Sequence, residues 1–430
     1  MTKKRINLYK SLMLILGMKS ILILIDGVAD RQFPALGNKT PLEAASTPNL
    51  DFLAENGKQG YMYPINEKMA PESNNGFLAI FGENAFIARG PLEALGAGIK
   101  FQRGDLALRA NFATINNIKE GKIIDRRVGR TLTTKEAMIL AKDINNRMRL
   151  PYKFIFKPTV QHSGVLVIKG GFSDNITNTD PAYYREKGTF KPQDILQSSL
   201  PLDDEENTAL SANIVNEFVE QSYYILKTNK INAIRTEKGL LPANTIITRD
   251  AGTELPVPKK LPGKWLYIGC MPLEIGISKS FGMDIASFAY PELKNNDVYY
   301  NLYEGLRTTI EFAKRTLKWN LKRYEHAYIH LKETDVPGHD NRPEEKKKMI
   351  EMIDKEFFSF LKELAQKEKI KLIITADHSS VCSVKAHTSD AVPFLIFGEG
   401  KDSTKRFNET DSKSGEIGKI YGKDVLKFIV

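Results

Sequence analysis

Two short stretches, Thr334-Asp335-Val336-Pro337-Gly338-His339-Asp340 and Thr375-Ala376-Asp377-His378, each place a carboxylate and an imidazole together just after an apolar run. His387 follows nearby, so three of the six histidines sit in one arrangement. Mixed oxygen and nitrogen donors of this kind suit divalent metal ions. They favour an enzyme over a binding module. Asp335 and His339 share one face if their segment is helical. Asp377 and His378 are adjacent at a strand end, so their side chains are expected to diverge; they can serve two metals, or one metal and a supporting contact. His387 can complete a first site with Asp335 and His339, and Asp26 can join Asp377 and His378 in a second. Helix capping and satisfied core histidines explain one such residue better than they explain the whole set.

A two-metal site stabilises the attacking and leaving oxygens of a phosphoryl displacement and lowers the pKa of a bound hydroxyl. Ser73, within Pro71-Glu72-Ser73-Asn74-Asn75-Gly76-Phe77-Leu78, is the candidate nucleophile. Apolar residues follow it, so it is expected to open a helix, where backbone N–H groups favour a phosphate. Taken alone, a serine at that position is a helix cap.

The elements that must carry these residues alternate. Ser20–Ile25 is a continuous apolar run ending at Asp26-Gly27, as in a strand buried on both faces of a parallel sheet. The same shape recurs at residues 327–331, Lys371–Thr375 and 394–397, with helical patterns at 47–56, 299–317 and 343–366. Alternating strands and helices predict an α/β doubly wound sheet, with ligands beyond the carboxyl ends of its strands. Between these blocks lie short strands and glycine turns, such as 164–171 and Thr245–Gly252, which read as an inserted second α/β (α+β) domain over residues 90–283. The core is then discontinuous, residues 18–89 and 284–430, and residues 1–17 form an N-terminal extension. The acidic stretch 203–207 reads as an exposed turn or helix start.

Bulk composition sets the class. With 430 residues, 42% hydrophobic and 27% charged, two domains and ample cores are expected. The two cysteines, Cys270 and Cys382, form no framework, fit a reducing cytoplasmic compartment and read as buried, inert thiols. The net charge of +10 is spread along the chain without a basic–aromatic repeat, so nucleic acid is not an expected partner. The run Lys346-Lys347-Lys348 reads as a solvated helix face. The apolar stretch at residues 12–17 is too short to span a bilayer, so no membrane association is expected. Oligomeric state is not legible.

Over residues 18–430 the chain resembles the archaeal-type 2,3-bisphosphoglycerate-independent phosphoglycerate mutases of the alkaline phosphatase superfamily. The carriers are Asp26-Gly27; Leu36-Gly37-Asn38-Lys39-Thr40-Pro41-Leu42-Glu43-Ala44-Ala45; Arg89-Gly90-Pro91-Leu92-Glu93-Ala94-Leu95-Gly96; Asp125-Arg126-Arg127-Val128-Gly129-Arg130; Thr179-Asp180-Pro181; His330-Leu331-Lys332 through Asp340; Asp377-His378; and Lys385-Ala386-His387. The resemblance implies an alkaline-phosphatase-like core and an isomerase that interconverts 3-phosphoglycerate and 2-phosphoglycerate. It implies two divalent ions (manganese, zinc, cobalt or magnesium) and no 2,3-bisphosphoglycerate. Asp26, Ser73, Asp377 and His378 would surround one metal, and Asp335, His339 and His387 the other. Ser73 and Lys332 would be catalytic. Arg126, Arg127, Arg130, Lys332, Arg249, His162 and Asp180 would bind the anionic phosphoglycerate, since guanidinium groups suit phosphate and carboxylate. The inserted domain would close over the substrate and exclude water. The alternatives are a metal-dependent phosphatase or phosphotransferase on the same scaffold, and an inactive homologue that binds an anionic metabolite.

The serine loop departs from the family pattern. Members usually carry glycine before the serine, an acid after it and histidine four positions on; here those places hold Glu72, Asn74 and Phe77. Glu72 is a candidate carboxylate from the other side.

Overall fold

The computed structural model describes residues 18–429 except 84–86, 184, 187, 188, 191, 192, 258 and 259, with side chains also left out at 183, 185, 186, 189 and 190. The expected extension at residues 1–17 lies outside the described residues.

Ser20–Ile25 is a strand with every side chain buried, the result of an unbroken apolar run covered on both faces. It is the fourth strand of an eight-stranded sheet ordered Asp284–Ala286, Trp265–Ile268, His326–Leu331, Ser20–Ile25, Lys371–Thr375, Val392–Phe397, Gly57–Tyr63, Gly418–Tyr421. Only Val392–Phe397 runs against the others. The helix Val298–Asn320 buries Leu306, Ile310, Ala313 and Leu317, a stripe at helical spacing, in the core that covers this sheet. The region expected as one helix over 343–366 is interrupted. A π-turn at Asp354–Phe358 separates Pro343–Ile353 from Ser359–Glu368. The Asp354 carboxylate there accepts from the backbone N–H of Asn49 and Leu50, capping the helix Pro48–Glu55.

Register sets the site. Ile25 lies opposite Leu331 and Leu24 opposite Thr375, so three parallel strands end level and Asp26, Lys332 and Asp377 emerge together.

A second, antiparallel sheet is built on the ten-residue strand Leu106–Ile115, flanked by Ser163–Ile168 and Thr245–Gly252, with Phe154–Pro158 beyond Ser163–Ile168 and Ile123–Asp125 pairing with the long strand's last residues, Thr114 and Ile115. Leu106, Leu108, Ala110 and Phe112 face the helices Thr134–Arg147 and Glu206–Lys227. The alternate positions face the helix Arg89–Gly96, where Ala107 meets Ala94. Helices this long between residues 90 and 283 were not expected from the short strands and glycine turns there. The acidic stretch turns out to lead into the 22-residue helix Glu206–Lys227, where negative charge complements the helix dipole. Trp265–Ile268 pairs in the large sheet, so sheet membership changes between Gly252 and Trp265, ahead of the expected return at residue 283. Four residues are too few to stand out as a run.

The helices Arg89–Gly96 and Pro272–Ser280, which flank the connections between the sheets, cross at Gly96 and Gly276; a Cβ at either would overlap the other helix's backbone.

Two expectations about single residues change. Lys346 is not on a solvated face: it is wholly buried, its ammonium donating to Asp30 Oδ2 at 2.9 Å, Ser380 O at 2.7 Å and Ala29 O at 3.2 Å. It sits on the inner stripe of Pro343–Ile353 with Met349, Ile350 and Ile353. Cys270 is half-buried, whereas Cys382 is buried as expected, its thiol pushed up to about 12 by burial.

Candidate active site

Asp26 and Asp377 are fully buried; neither oxygen of Asp377 has a hydrogen-bond partner, and Asp26 is met by the Lys332 ammonium. Burial opposes ionisation of Asp26, yet Lys332 and His378 outweigh it and hold its carboxyl well below the usual range. Burial and then the charge of Asp26 push Asp377 up. The Lys332 ammonium forms an ion pair with Asp26 and lies 3.2 Å from Glu274 Oε1.

His378 Nε2 lies 3.1 Å from Asp26 Oδ1 and 3.5 Å from Asp377 Oδ2. The expected divergence of Asp377 and His378 is therefore wrong; they converge on Asp26. A bend at Asp377, directly after Lys371–Thr375, breaks the alternation that a continuing strand would impose. Burial works against protonation of His378, but Asp377 and Asp26 prevail and raise it to about 9.

Asp335 and His339 do share a helical face, on the short helix Asp335–His339, with His339 Nε2 3.3 Å from Asp335 Oδ2. His387, on the hairpin strand Ala386–Thr388, brings Nε2 to 3.4 Å from Asp335 Oδ1 and 3.2 Å from His339 Nε2. The outer nitrogens face backbone acceptors: His339 Nδ1 is 3.1 Å from Lys385 O, and His387 Nδ1 is 2.9 Å from Pro71 O. Donation from each Nδ1 leaves each Nε2 as a lone pair aimed inward, the tautomer a metal requires. The His378 and His387 rings stack at 3.6 Å, so the two groups of donors are adjacent.

Ser73 is the first residue of the helix Ser73–Ile80, with Glu72 at the cap position, and Ser73 Oγ lies 3.2 Å from His378 Nε2. Gly76 is held against the backbone carbonyl of Asp377, where a Cβ would not fit. Phe77 packs among Tyr328, Phe81 and the edge of the His330 ring, and Asn74 donates to Ile87 O at 3.0 Å. Glu72 is kept ionised: burial opposes this, but His387, Arg249, Arg89 and His378 outweigh burial.

Ser73, Lys332, Asp335, His339 and His387 share a cavity of about 270 Å³ with Arg109 and Arg249 of the second sheet, with His162 from the turn before Ser163–Ile168, and with Arg89 at the start of the helix Arg89–Gly96. Arg109 and Arg249 are register partners on neighbouring strands. Like charges directly opposite are unfavourable unless something negative offsets them. Glu93, buried on Arg89–Gly96, accepts from both Arg89 and Arg109, and Arg249 pairs with Asp250 at 2.9 Å. His162 is kept neutral, by burial first and then by Arg127 and Arg109.

The expected arginine cluster is divided. Arg126 is held by both oxygens of Asp180, so these two engage one another. Arg130 clasps Asp340, next to His339, and so ties the second sheet to the metal-type donors. Arg127 and Arg130 line both the cavity and the wider opening of about 870 Å³ next to it.

Sequence reasoning missed Arg109, Glu93, Glu274 and His330 as site residues. A single arginine in an apolar strand was the signal for Arg109. His330 and Lys332 stand two apart on a strand, hence on one face.

A family model described as 2,3-bisphosphoglycerate-independent phosphoglycerate mutase matches residues 54–232. The protein of that name from Thermococcus kodakarensis is 36% identical over 424 residues, covering 96% of each chain. The chain belongs to the 2,3-bisphosphoglycerate-independent phosphoglycerate mutase family. The family member from Aeropyrum pernix is 37% identical over 94% of this chain and 97% of its own. Among solved structures, the cofactor-independent phosphoglycerate mutase of Thermoplasma acidophilum is 29% identical with a TM-score of 0.55, over 96% of this chain and 98% of that one. The PH0037 protein of Pyrococcus horikoshii is 28% identical with a TM-score of 0.72, over 96% and 97%. Membership in the family therefore extends across both sheets.

Proposed function

We propose that the chain interconverts 3-phosphoglycerate and 2-phosphoglycerate without a bisphosphate primer. The carrying observation is the placement of Ser73: its Oγ opens a helix 3.2 Å from His378 Nε2, between buried carboxylates on one side and the Arg89, Arg109 and Arg249 guanidiniums on the other. Unpartnered buried carboxylate oxygens and inward-facing imidazoles fit divalent cations. In this reading Asp335, His339 and His387 hold one ion, and Asp26, Ser73, Asp377 and His378 the other; when bound, the ions neutralise phosphoryl charge and favour the ionised Ser73 hydroxyl. Manganese, zinc, cobalt and magnesium all suit these donors.

Ser73 gives up its hydroxyl proton and its Oγ attacks phosphorus as the bond to the C3 oxygen breaks, giving phosphoserine and a glycerate whose C3 oxygen takes up one proton in its place. The glycerate turns while Arg89, Arg109 and Arg249 keep its carboxylate. Its C2 hydroxyl then loses a proton and attacks the phosphoserine, and Ser73 departs with the electron pair. Glu72, ionised and facing the cavity, is assigned to take that proton; full activity in Glu72→Gln would exclude it. Lys332 donates to the phosphoryl oxygens from the floor. We assign residues 18–89 and the C-terminal block to the phosphotransferase core and the second sheet to an inserted unit that shuts out water. The setting is the cytoplasm, in lower glycolysis and gluconeogenesis. Among the described residues no helix is long and apolar enough to cross a membrane.

The test is a metal-supplemented assay with 3-phosphoglycerate and no bisphosphate, following 2-phosphoglycerate and free phosphate together. Ser73→Ala should lose at least about 10⁴-fold in turnover. Free phosphate alone from the wild type would mean a phosphatase.

A further inference from the structure

We propose that His330 is a further ligand of the cation held between Asp26 and Asp377. The inference rests on the two-metal reading above. His330 is 3% exposed, and its Nε2 lies 3.3 Å from Asp26 Oδ2 and 3.6 Å from Asp377 Oδ2. Nε2 thus faces both carboxylates without a well-aligned hydrogen bond to either, and neither oxygen of Asp377 has a hydrogen-bond partner. A core histidine that merely braced these carboxylates would donate to one of them. Donors around one ion stand differently. With metal–ligand bonds of about 2.1 Å, neighbouring ligand atoms sit roughly 3.0–3.4 Å apart without bonding to each other. One donor atom from each of Asp26, His330 and Asp377 falls within 4.8 Å of the others.

The rest of the ring supports this role. His330 Nδ1 lies 2.7 Å from the Tyr328 hydroxyl, which can accept its proton and leave Nε2 as the lone pair. Both residues are on His326–Leu331, two positions apart and hence on one face. Phe77, on the nucleophile's helix, closes the ring's edge with centroids 6.2 Å apart. The strand carries this donor, so the ring has no route to solvent and no freedom to swing away.

The experiment loads wild type, His330→Gln and Tyr328→Phe with cobalt(II), counts bound metal after equilibrium dialysis and records the ligand-field absorption. In His330→Gln one cobalt should bind at least about 100-fold more weakly, with an altered band. Tyr328→Phe should weaken the same ion by roughly tenfold, as loss of a supporting hydrogen bond does. Wild-type affinity and an unchanged band in His330→Gln would overturn the assignment. Should His330→Gln fail to fold, the hyperfine-shifted exchangeable imidazole protons of the wild-type cobalt enzyme decide: four support ligation by His330, three refute it. The number of cobalt ions bound by wild type tests the two-metal reading separately.

Discussion

At the strand ends of the large sheet, Asp26 and Asp377 are buried; Lys332 meets Asp26, and neither oxygen of Asp377 has a hydrogen-bond partner. Across the cavity, Arg89 and Arg109 converge on one oxygen of Glu93, and Arg249 leans on Asp250. Both walls concentrate charge that burial disfavours. The floor meets part of its charge through the Lys332 ammonium on Asp26 and leaves the rest to be met from outside the chain, while the roof meets most of its own. The floor is therefore built to take up cations, and the roof keeps only a modest surplus of positive charge for an anion that arrives and leaves every turnover.

Metal removal should produce the largest effect. Chelation is expected to abolish mutase activity and lower stability by about 3–4 kcal/mol at saturating metal, since the ions bind the folded state alone; calorimetry with and without chelator measures it. A melt unmoved by chelation would erase the contrast between the walls. Next is Glu93→Gln. Removing one partner of a buried ion pair costs about 3–5 kcal/mol, seen as a lower urea midpoint, and added sulfate should recover part of the loss by filling the roof. Arg130→Lys sits between the walls: lysine cannot clasp both oxygens of Asp340, so kcat/KM should fall roughly tenfold with little change in melting temperature. The smallest effect lies at the opposite ends of the strands. His326, against Ser20 and Trp265, is lowered by burial from 6.5 to about 4. Between those values the unfolded chain takes up a proton that the native one refuses, so stability falls as pH drops from about 6.5 toward 4. His326→Gln should lessen that slope in urea titrations at pH 7 and pH 5.

The floor was far more legible in sequence than the roof. Asp26, Asp335 and Asp377 follow apolar runs whose ends mark the ligand edge of a parallel sheet, and that rule needs no knowledge of packing. His339 came from helical spacing within one short segment. The roof depends on pairings between distant strands, such as Arg109 beside Arg249, which no local pattern encodes. For the same reason the pairing of Arg126 with Asp180 was not foreseen. Lys346 was misjudged because a triple lysine on a helix looks solvated, and only its position on the inner stripe distinguishes it from Lys348. Asp377 and His378 were read with a strand's alternation, although the strand had already ended at Thr375.

The buried ammonium of Lys346 has a consequence for how the enzyme comes to life. It fastens the loop after the first strand, through Ala29 and Asp30, to the hairpin at Ser380 that leads to His387. Unlike the exchangeable ions, this cation belongs to the chain and no chelator can strip it. The frame around the donors is thus held by the chain's own groups, so loading should proceed as docking into a finished socket, quick and repeatable, with little ordering left to be done when the metal arrives.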